Sequence, residues 1–113
     1  MQENGKIVLS VGEHSELLSL REAVLRSAGF DVFTTHDKKV ALNRIKEGHC
    51  GVLLMCYSLP DGWREQLVKT FRQHCPQGKV VAISNKAIEK VPLADEVIYG
   101  IEGPEALIDA LRQ

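Results

Sequence analysis

The segment from Cys50 to Gly62 is the sequence feature that most constrains the fold, because an apolar run in it ends abruptly at a turn. Its residues 51–56 are small or apolar without polar alternation, which is typical of a central strand covered on both faces of a parallel sheet. The triplet Pro60-Asp61-Gly62 then ends the run. Residues at the carboxyl end of such a strand face the crevice where ligands bind. Cys56 and Tyr57 therefore lie at the position where a ligand-binding or catalytic side chain is expected.

Length and composition predict one folded domain. A chain of 113 residues buries roughly two thirds of its unfolded surface on folding, which is enough for an ordinary core. We therefore expect a single domain over residues 1–113, with residues 1–5 as a polar or disordered lead-in. The fractions of apolar (44%) and charged (26%) residues are typical of a soluble globular protein.

Apolar content, cysteine content and charge indicate the cellular compartment and the kinds of partner to expect. No apolar run approaches the roughly 20 residues of a membrane span, and the amino-terminal segment lacks the pattern of a secretion signal. Three cysteines do not suit a disulfide scaffold. We therefore expect a cytoplasmic protein with reduced thiols. The net charge of −1, with both signs interspersed, predicts no direct binding of nucleic acid or membranes.

Hydrophobic periodicity predicts five buried strands that alternate with helices. The predicted strands are Lys6–Val11, Phe30–Thr34, residues 51–56, Lys79–Ser84 and Glu96–Tyr99. The predicted helices run from a Ser15 N-cap to Gly29, from Asp37 to Gly48, from Trp63 to His74 and from Pro104 onward. The predicted inward-facing residues of the first two helices are Leu17, Leu18, Leu20, Val24, Leu25, Val40, Ala41 and Ile45.

The connection between the fourth and fifth strands is too short for a full helix, so we expect a shortened fourth helix, a single turn around Lys86–Lys90. Alternating strands and right-handed crossovers predict an α/β protein, a three-layer α/β/α sandwich with a flavodoxin-like, doubly wound parallel sheet. The favoured strand order is 2-1-3-4-5, which brings the ends of strands one and three together. Gly12, Glu13, His14, Cys56 and Tyr57 would then share one crevice.

Several segments, in order, make the chain resemble the receiver domains of two-component response regulators over nearly its whole length. The first three segments are KIVLSVGEH, which matches a first strand running into an acidic pair, AVLRSAGFDV at the exit of helix one, and KKVALNRIKEG in helix two. The others are GVLLMCYSLPDG, with proline four residues after the phosphorylation position, VVAISN and ADEVIYGIEGPEAL.

The resemblance also implies that most of the family's phosphorylation site is missing. The two acids after strand one correspond to Gly12 and Glu13, the phosphoacceptor aspartate to Cys56, and the lysine after strand five to Gly100. Only Ser84 keeps a residue type typical of its position. Phosphoryl transfer of this kind needs a carboxylate acceptor, a divalent cation and a positive side chain, and Mg²⁺ prefers several oxygen ligands to a thiol. We therefore expect a degenerate pseudo-receiver that is not an enzyme and has no catalytic residue, metal or cofactor.

A receiver scaffold without its switch is expected to act through protein contacts in a two-component or phosphorelay pathway. The expected partner is a kinase, an output module or another receiver-like domain, and a second copy of the chain is a further candidate. The predicted partner face comprises Val91, Leu93, Tyr99 and Ile101, which lie on or beside the signalling face of the family.

Two other classes of function remain open at this point. Cys56, with His14 near it, is a candidate thiol-based redox switch, although buried cysteines often only fill apolar space. Alternatively, Gly12 and Gly100 at strand ends would let a small anion or a nucleotide approach the backbone of a flavodoxin-like domain. The dipeptides His49-Cys50 and His74-Cys75 lack the spacing of a metal motif.

Overall fold

Each strand forms over a short run rich in β-branched and apolar residues, and each helix follows a polar or proline start. The computed structural model describes residues 7–56, 59–84, 94–99 and 103–112. Over these residues it has five strands and four helices. In chain order they are β1 (Ile7–Val11), α1 (Ser15–Ser27), β2 (Asp31–Thr35), α2 (Lys38–Lys46), β3 (Cys50–Met55), α3 (Asp61–His74), β4 (Lys79–Ser84), β5 (Glu96–Tyr99) and α4 (Pro104–Arg112).

The five strands form one parallel sheet in the order β2-β1-β3-β4-β5. This confirms the predicted flavodoxin-like fold and its strand order. The order reverses between β1 and β3, so their carboxyl ends lie side by side at the centre of the sheet. The turn predicted at Lys86–Lys90 lies outside the described residues.

Successive side chains along each strand point to opposite faces of the sheet. They therefore form two separate hydrophobic cores, one on each face. Leu9, Leu53 and Val80 belong to the core that α2 and α3 cover. Their neighbours Val8 and Val81 belong to the core that α1 and α4 cover. The sheet is thus buried on both faces, which explains why its central strands read as continuous apolar runs.

Capping residues and glycine predict some helix ends correctly and others wrongly. The Asp37 side chain accepts hydrogen bonds from the backbone amides of Lys39 and Val40, so it is the N-cap of α2 as predicted. Gly29 ends α1 with φ of 98°, as its left-handed conformation predicts. The prediction that Ser15 caps α1 is wrong, because His14 is the N-cap and no side chain bonds to the first turn.

The prediction that Leu20 and Val40 face inward is also wrong. Leu20 is 63% exposed and Val40 is 39% exposed. Successive helical residues are rotated by about 100°, and the core-facing directions are set by Leu18 in α1 and Ala41 in α2. Leu20 lies two positions from Leu18 and Val40 one position from Ala41, so both turn away from the sheet. Within the described residues, no helix has the length and apolar character needed to cross a membrane.

Candidate functional site

Two adjacent strand ends bring Gly12 and Cys56 together at the switch point of the sheet. Val11 and Met55 are paired at the last position of β1 and β3. The backbone amide of Cys56 donates to the carbonyl of Val11 at 2.9 Å, which continues the pairing by one residue. The amide of Gly12 donates to the carbonyl of Thr35 at the end of β2, at 3.4 Å. These hydrogen bonds fix both residues in the plane of the sheet.

Cys56 occupies the space that a side chain at position 12 would need. A Cβ atom placed on Gly12 would lie 2.8 Å from the Cβ of Cys56 and 3.5 Å from its Sγ. It would also lie 3.2 Å from the Cδ2 of Leu18 in α1. The thiol is only 2% exposed and is not part of a disulfide. Gly12 and the buried side chain of Cys56 are therefore in direct contact at the ends of β1 and β3.

The other predicted site residues that the structure describes differ in how far they are exposed to solvent. Glu13 and His14 are exposed where the chain leaves β1. Ser84 is buried at the end of β4, where it is paired with Tyr99 of β5, and Tyr99 is half-buried. The remaining predicted positions lie outside the described residues; they are Tyr57, Val91, Leu93, Gly100 and Ile101.

The donor set around Cys56 does not fit a hard divalent cation. Mg²⁺ requires oxygen ligands in a near-octahedral arrangement, whereas the group at the end of β3 is a soft thiol. In the part of the chain that the structure describes, no three His, Cys, Asp or Glu side chains are grouped closely enough to hold a metal ion. The described side chains at this site are therefore poor ligands for Mg²⁺.

Comparison with known proteins identifies the fold through structure alone. No protein-family model matches the chain, and no curated protein matches it in sequence. Solved structures match over nearly the whole chain. The chemotaxis protein CheY4 of Vibrio cholerae has a TM-score of 0.79 at 19% identity, over 95% of this chain and 96% of that one.

Two further structures extend the similarity to other organisms. A CheY-like receiver domain of Methanospirillum hungatei gives a TM-score of 0.79 at 19% identity, covering 95% of this chain and 90% of that one. The response regulator TrrA of Thermotoga maritima, in complex with Mg²⁺ and BeF, gives 0.73 at 15% identity, covering 94% and 98%. The chain thus has the fold of CheY-like receiver domains.

An apolar groove lies between α1 and α4. Its volume is about 350 Å³, and it runs beside the ends of β4 and β5. The exposed Leu20 lies on its rim, with Leu17 and Val24 next to it. The sequence pattern predicts that these three residues face inward as one stripe of α1, whereas in the structure Leu17 and Val24 are half-buried and Leu20 is exposed.

Two buried cysteines also meet in the fold, although they are far apart in the sequence. Cys50 begins β3 and Cys75 follows α3, and both belong to the core under α2. Their thiols donate to consecutive carbonyls of α2, that of Arg44 at 3.9 Å and that of Ile45 at 3.7 Å. The two His-Cys dipeptides were the signal for this cluster, but only the fold brings them together.

A charged connection that the sequence does not reveal joins α3 to the amino ends of β4 and β5. Asp95 accepts two hydrogen bonds from the guanidinium of Arg72, at 3.1 and 3.2 Å, and one from the amide of Val80 at 2.7 Å. The Arg72 hydrogen bonds hold the pKa of Asp95 below its usual value. The connection spans 23 residues between Arg72 and Asp95, so no local pattern reveals it.

Proposed function

We propose that this chain is a receiver-like signalling module of a two-component or phosphorelay pathway that acts without being phosphorylated. It works through contacts with a kinase, an output module or another receiver-like domain, including a second copy of itself. The similarity in fold to receiver domains supports the class of pathway. The residues at the strand ends support independence from phosphorylation.

The contact between Gly12 and Cys56 is the observation that carries this proposal. In the receiver pattern these two positions hold a metal-binding acid and the phosphoacceptor aspartate, as the resemblance implies. Here position 12 has no side chain, and position 56 holds a buried thiol in place of a carboxylate. A side chain at position 12 would also force the two strand ends apart, because its Cβ would lie 2.8 Å from the Cβ of Cys56.

The proposal predicts how the protein responds to phosphate analogues. Uniformly labelled protein is titrated with Mg²⁺ and beryllium fluoride, and its NMR amide signals are followed. The domain of the Thermotoga maritima response regulator, which forms a complex with Mg²⁺ and BeF, is the positive control. The signals of residues 11–13, Cys56 and Ser84 are expected to stay unchanged here and to shift at the matching positions of the control. Saturable shifts around Cys56 would contradict the proposal.

A second measurement addresses phosphorylation directly. The protein is incubated with Mg²⁺ and acetyl phosphate, and intact mass spectrometry is used to look for a phosphoryl group. No adduct that survives for minutes is expected. If the protein self-associates, its dissociation constant is expected to be the same with and without the phosphodonor. A phosphodonor-dependent change in that constant would mean that the module retains a phosphorylation switch.

The redox alternative at Cys56 is a separate hypothesis with its own test. Because the thiol is 2% exposed and packed against Gly12, a reagent reaches it only if the strand ends open. The rate of alkylation by iodoacetamide is measured against pH and compared with that of the denatured protein. Slow alkylation in the folded state is expected at every pH. Rapid alkylation at neutral pH would favour a reactive cysteine.

A further inference from the structure

We propose that Cys50 and Cys75 are a redox pair that a small disulfide, such as glutathione disulfide, converts into an intramolecular disulfide between β3 and α3. The pair lies at the amino end of β3, whereas Cys56 lies beyond the carboxyl end of that strand. Since a strand rises by about 3.3 Å per residue, Cys56 is about 20 Å away. The site is therefore independent of the crevice and of the function proposed for it.

The two thiols are neighbours because they share one helix end. They bond to the carbonyls of Arg44 and Ile45, which follow one another in the last turn of α2. The two residues also influence each other's ionisation, since Cys75 raises the pKa of Cys50 and the backbone of Cys50 lowers that of Cys75. A disulfide joins Cα atoms that are about 4.4 to 6.8 Å apart, so the proposal requires the start of β3 and the loop after α3 to approach each other that closely.

The loop after α3 is held against the start of β3 and maintains this arrangement. The amide of Gly78 donates to the carbonyl of Cys75 at 2.9 Å, which closes a turn over the exposed Pro76 and Gln77. A Cβ on Gly78 would lie 3.1 Å from the carbonyl oxygen of Gly51, so the turn packs directly on β3. Because the turn ends before β4 begins at Lys79, the proposal has it open and expose Cys75 while the strands stay paired.

The environment of the two thiols determines which one reacts first. Burial, together with the neighbouring Cys75 and Glu47, raises the pKa of Cys50 to about 11 although Arg44 acts to lower it. Burial also raises the pKa of Cys75, but the hydrogen bond from the backbone of Cys50 lowers it. The imidazoles of the adjacent His49 and His74 are exposed. Cys75, beside the turn that opens, is therefore the first nucleophile.

The reaction consists of two thiol exchanges. The Cys75 thiolate attacks one sulfur of glutathione disulfide, forms a mixed disulfide and releases glutathione thiolate, which takes up the proton that Cys75 has lost. The Cys50 thiolate then attacks the sulfur of Cys75 and releases the second glutathione, which is protonated in the same way. Two protein thiols are oxidised, and one glutathione disulfide is reduced to two glutathione molecules.

The test uses the reduced wild-type protein under native conditions. It is incubated with glutathione disulfide at pH 7, 8 and 9, quenched with acid, alkylated and digested for mass spectrometry. One linked peptide pair, containing Cys50 and Cys75, is expected, with Cys56 recovered as the alkylated thiol. Because the thiolate fraction controls the rate, linkage is expected to become about tenfold faster per pH unit. No linkage, linkage only in urea, or a link to Cys56 would overturn the proposal.

Single variants test the order of the two exchanges, and circular dichroism verifies that each one is folded. Cys50→Ser is expected to stop at a stable mixed disulfide on Cys75, whereas Cys75→Ser is expected to react several times more slowly. Cys56→Ser is the matched control and is expected to form the Cys50–Cys75 link at the wild-type rate. Equal rates for Cys50→Ser and Cys75→Ser would overturn the order proposed.

Discussion

The backbone of Gly12 packs directly on the side chain of Cys56, with no room for even a methyl group between them. Both residues follow neighbouring central strands, and their amides are held by hydrogen bonds to Val11 and Thr35. Because the contact joins backbone to a Cβ atom, neither side relieves it by rotating a side chain. The spacing of the two strand ends therefore requires glycine at position 12.

Gly12→Ala is expected to destabilise the protein by about 1 to 3 kcal/mol, since overpacking a closed site forces the backbone to shift. Gly62→Ala is the matched control. Gly62 is an exposed residue of α3, and a Cβ there meets no atom within 4 Å. That change is expected to stabilise the protein by about 0.5 to 1 kcal/mol through helix propensity. Urea denaturation of both variants measures the two effects, and equal stabilities would contradict the packing argument.

The bond between Asp95 and Arg72 predicts how stability depends on pH. Because the pKa of Asp95 is lower in the folded state than in the unfolded chain, its contribution is present above the unfolded value of about 3.9. It is lost as the pH falls through the lower folded value. Asp95→Asn is expected to destabilise the protein at pH 7 by about 1 kcal/mol, because the Asp95 side chain is 41% exposed to screening solvent.

The difference in stability between wild type and Asp95→Asn is expected to shrink as the pH is lowered from 6 to 3. Glu47→Gln, which removes the exposed pair with Arg44, is the control and is expected to change stability little at any of these pH values. Chemical denaturation at several pH values gives the comparison. A difference for Asp95→Asn that does not vary with pH would mean that its charge contributes nothing to folding.

Local chemistry explains how much of the fold was predictable. The cap at Asp37 and the turn at Gly29 depend on residues within a few positions, and both were located correctly. The continuous apolar strands, with the crossover rule, were enough to predict the sheet order. Val40 and Leu20 were misplaced because an apolar residue adjacent to a helix face looks like part of that face until its neighbours in space are known.

The candidate site was only partly predictable for a related reason. The sequence predicts that Gly12 and Cys56 lie close together, because each follows a central strand and the strand order alone brings these two ends to one switch point. Whether they pack against each other depends on the distance between the two strand ends, which cannot be predicted from a pattern of residue types. The same holds for Cys50 and Cys75, where α2, β3 and α3 must be assembled before the thiols become neighbours.

Leu18 and Leu20 are expected to differ sharply in their contribution to stability. Leu18 is buried and contacts the Gly12 region, whereas Leu20 lies on the rim of the groove between α1 and α4. Leu18→Ala is expected to cost about 2 to 5 kcal/mol, as for other buried leucines. Leu20→Ala is expected to change stability by about 0.5 kcal/mol or less. Thermal and urea unfolding measure both variants, and a large loss for Leu20→Ala would place that side chain in the core.

The two helix starts offer a final comparison, between Asp37 and Ser15. The Asp37 carboxylate satisfies two backbone amides of α2, at 2.8 and 3.2 Å, so Asp37→Ala is expected to cost about 1 kcal/mol. Ser15 is already the first residue of α1 and follows the N-cap His14. Since alanine is the better helix former, Ser15→Ala is expected to be neutral or slightly stabilising. Urea denaturation decides, and a loss for Ser15→Ala as large as that for Asp37→Ala would show that the serine caps α1 after all.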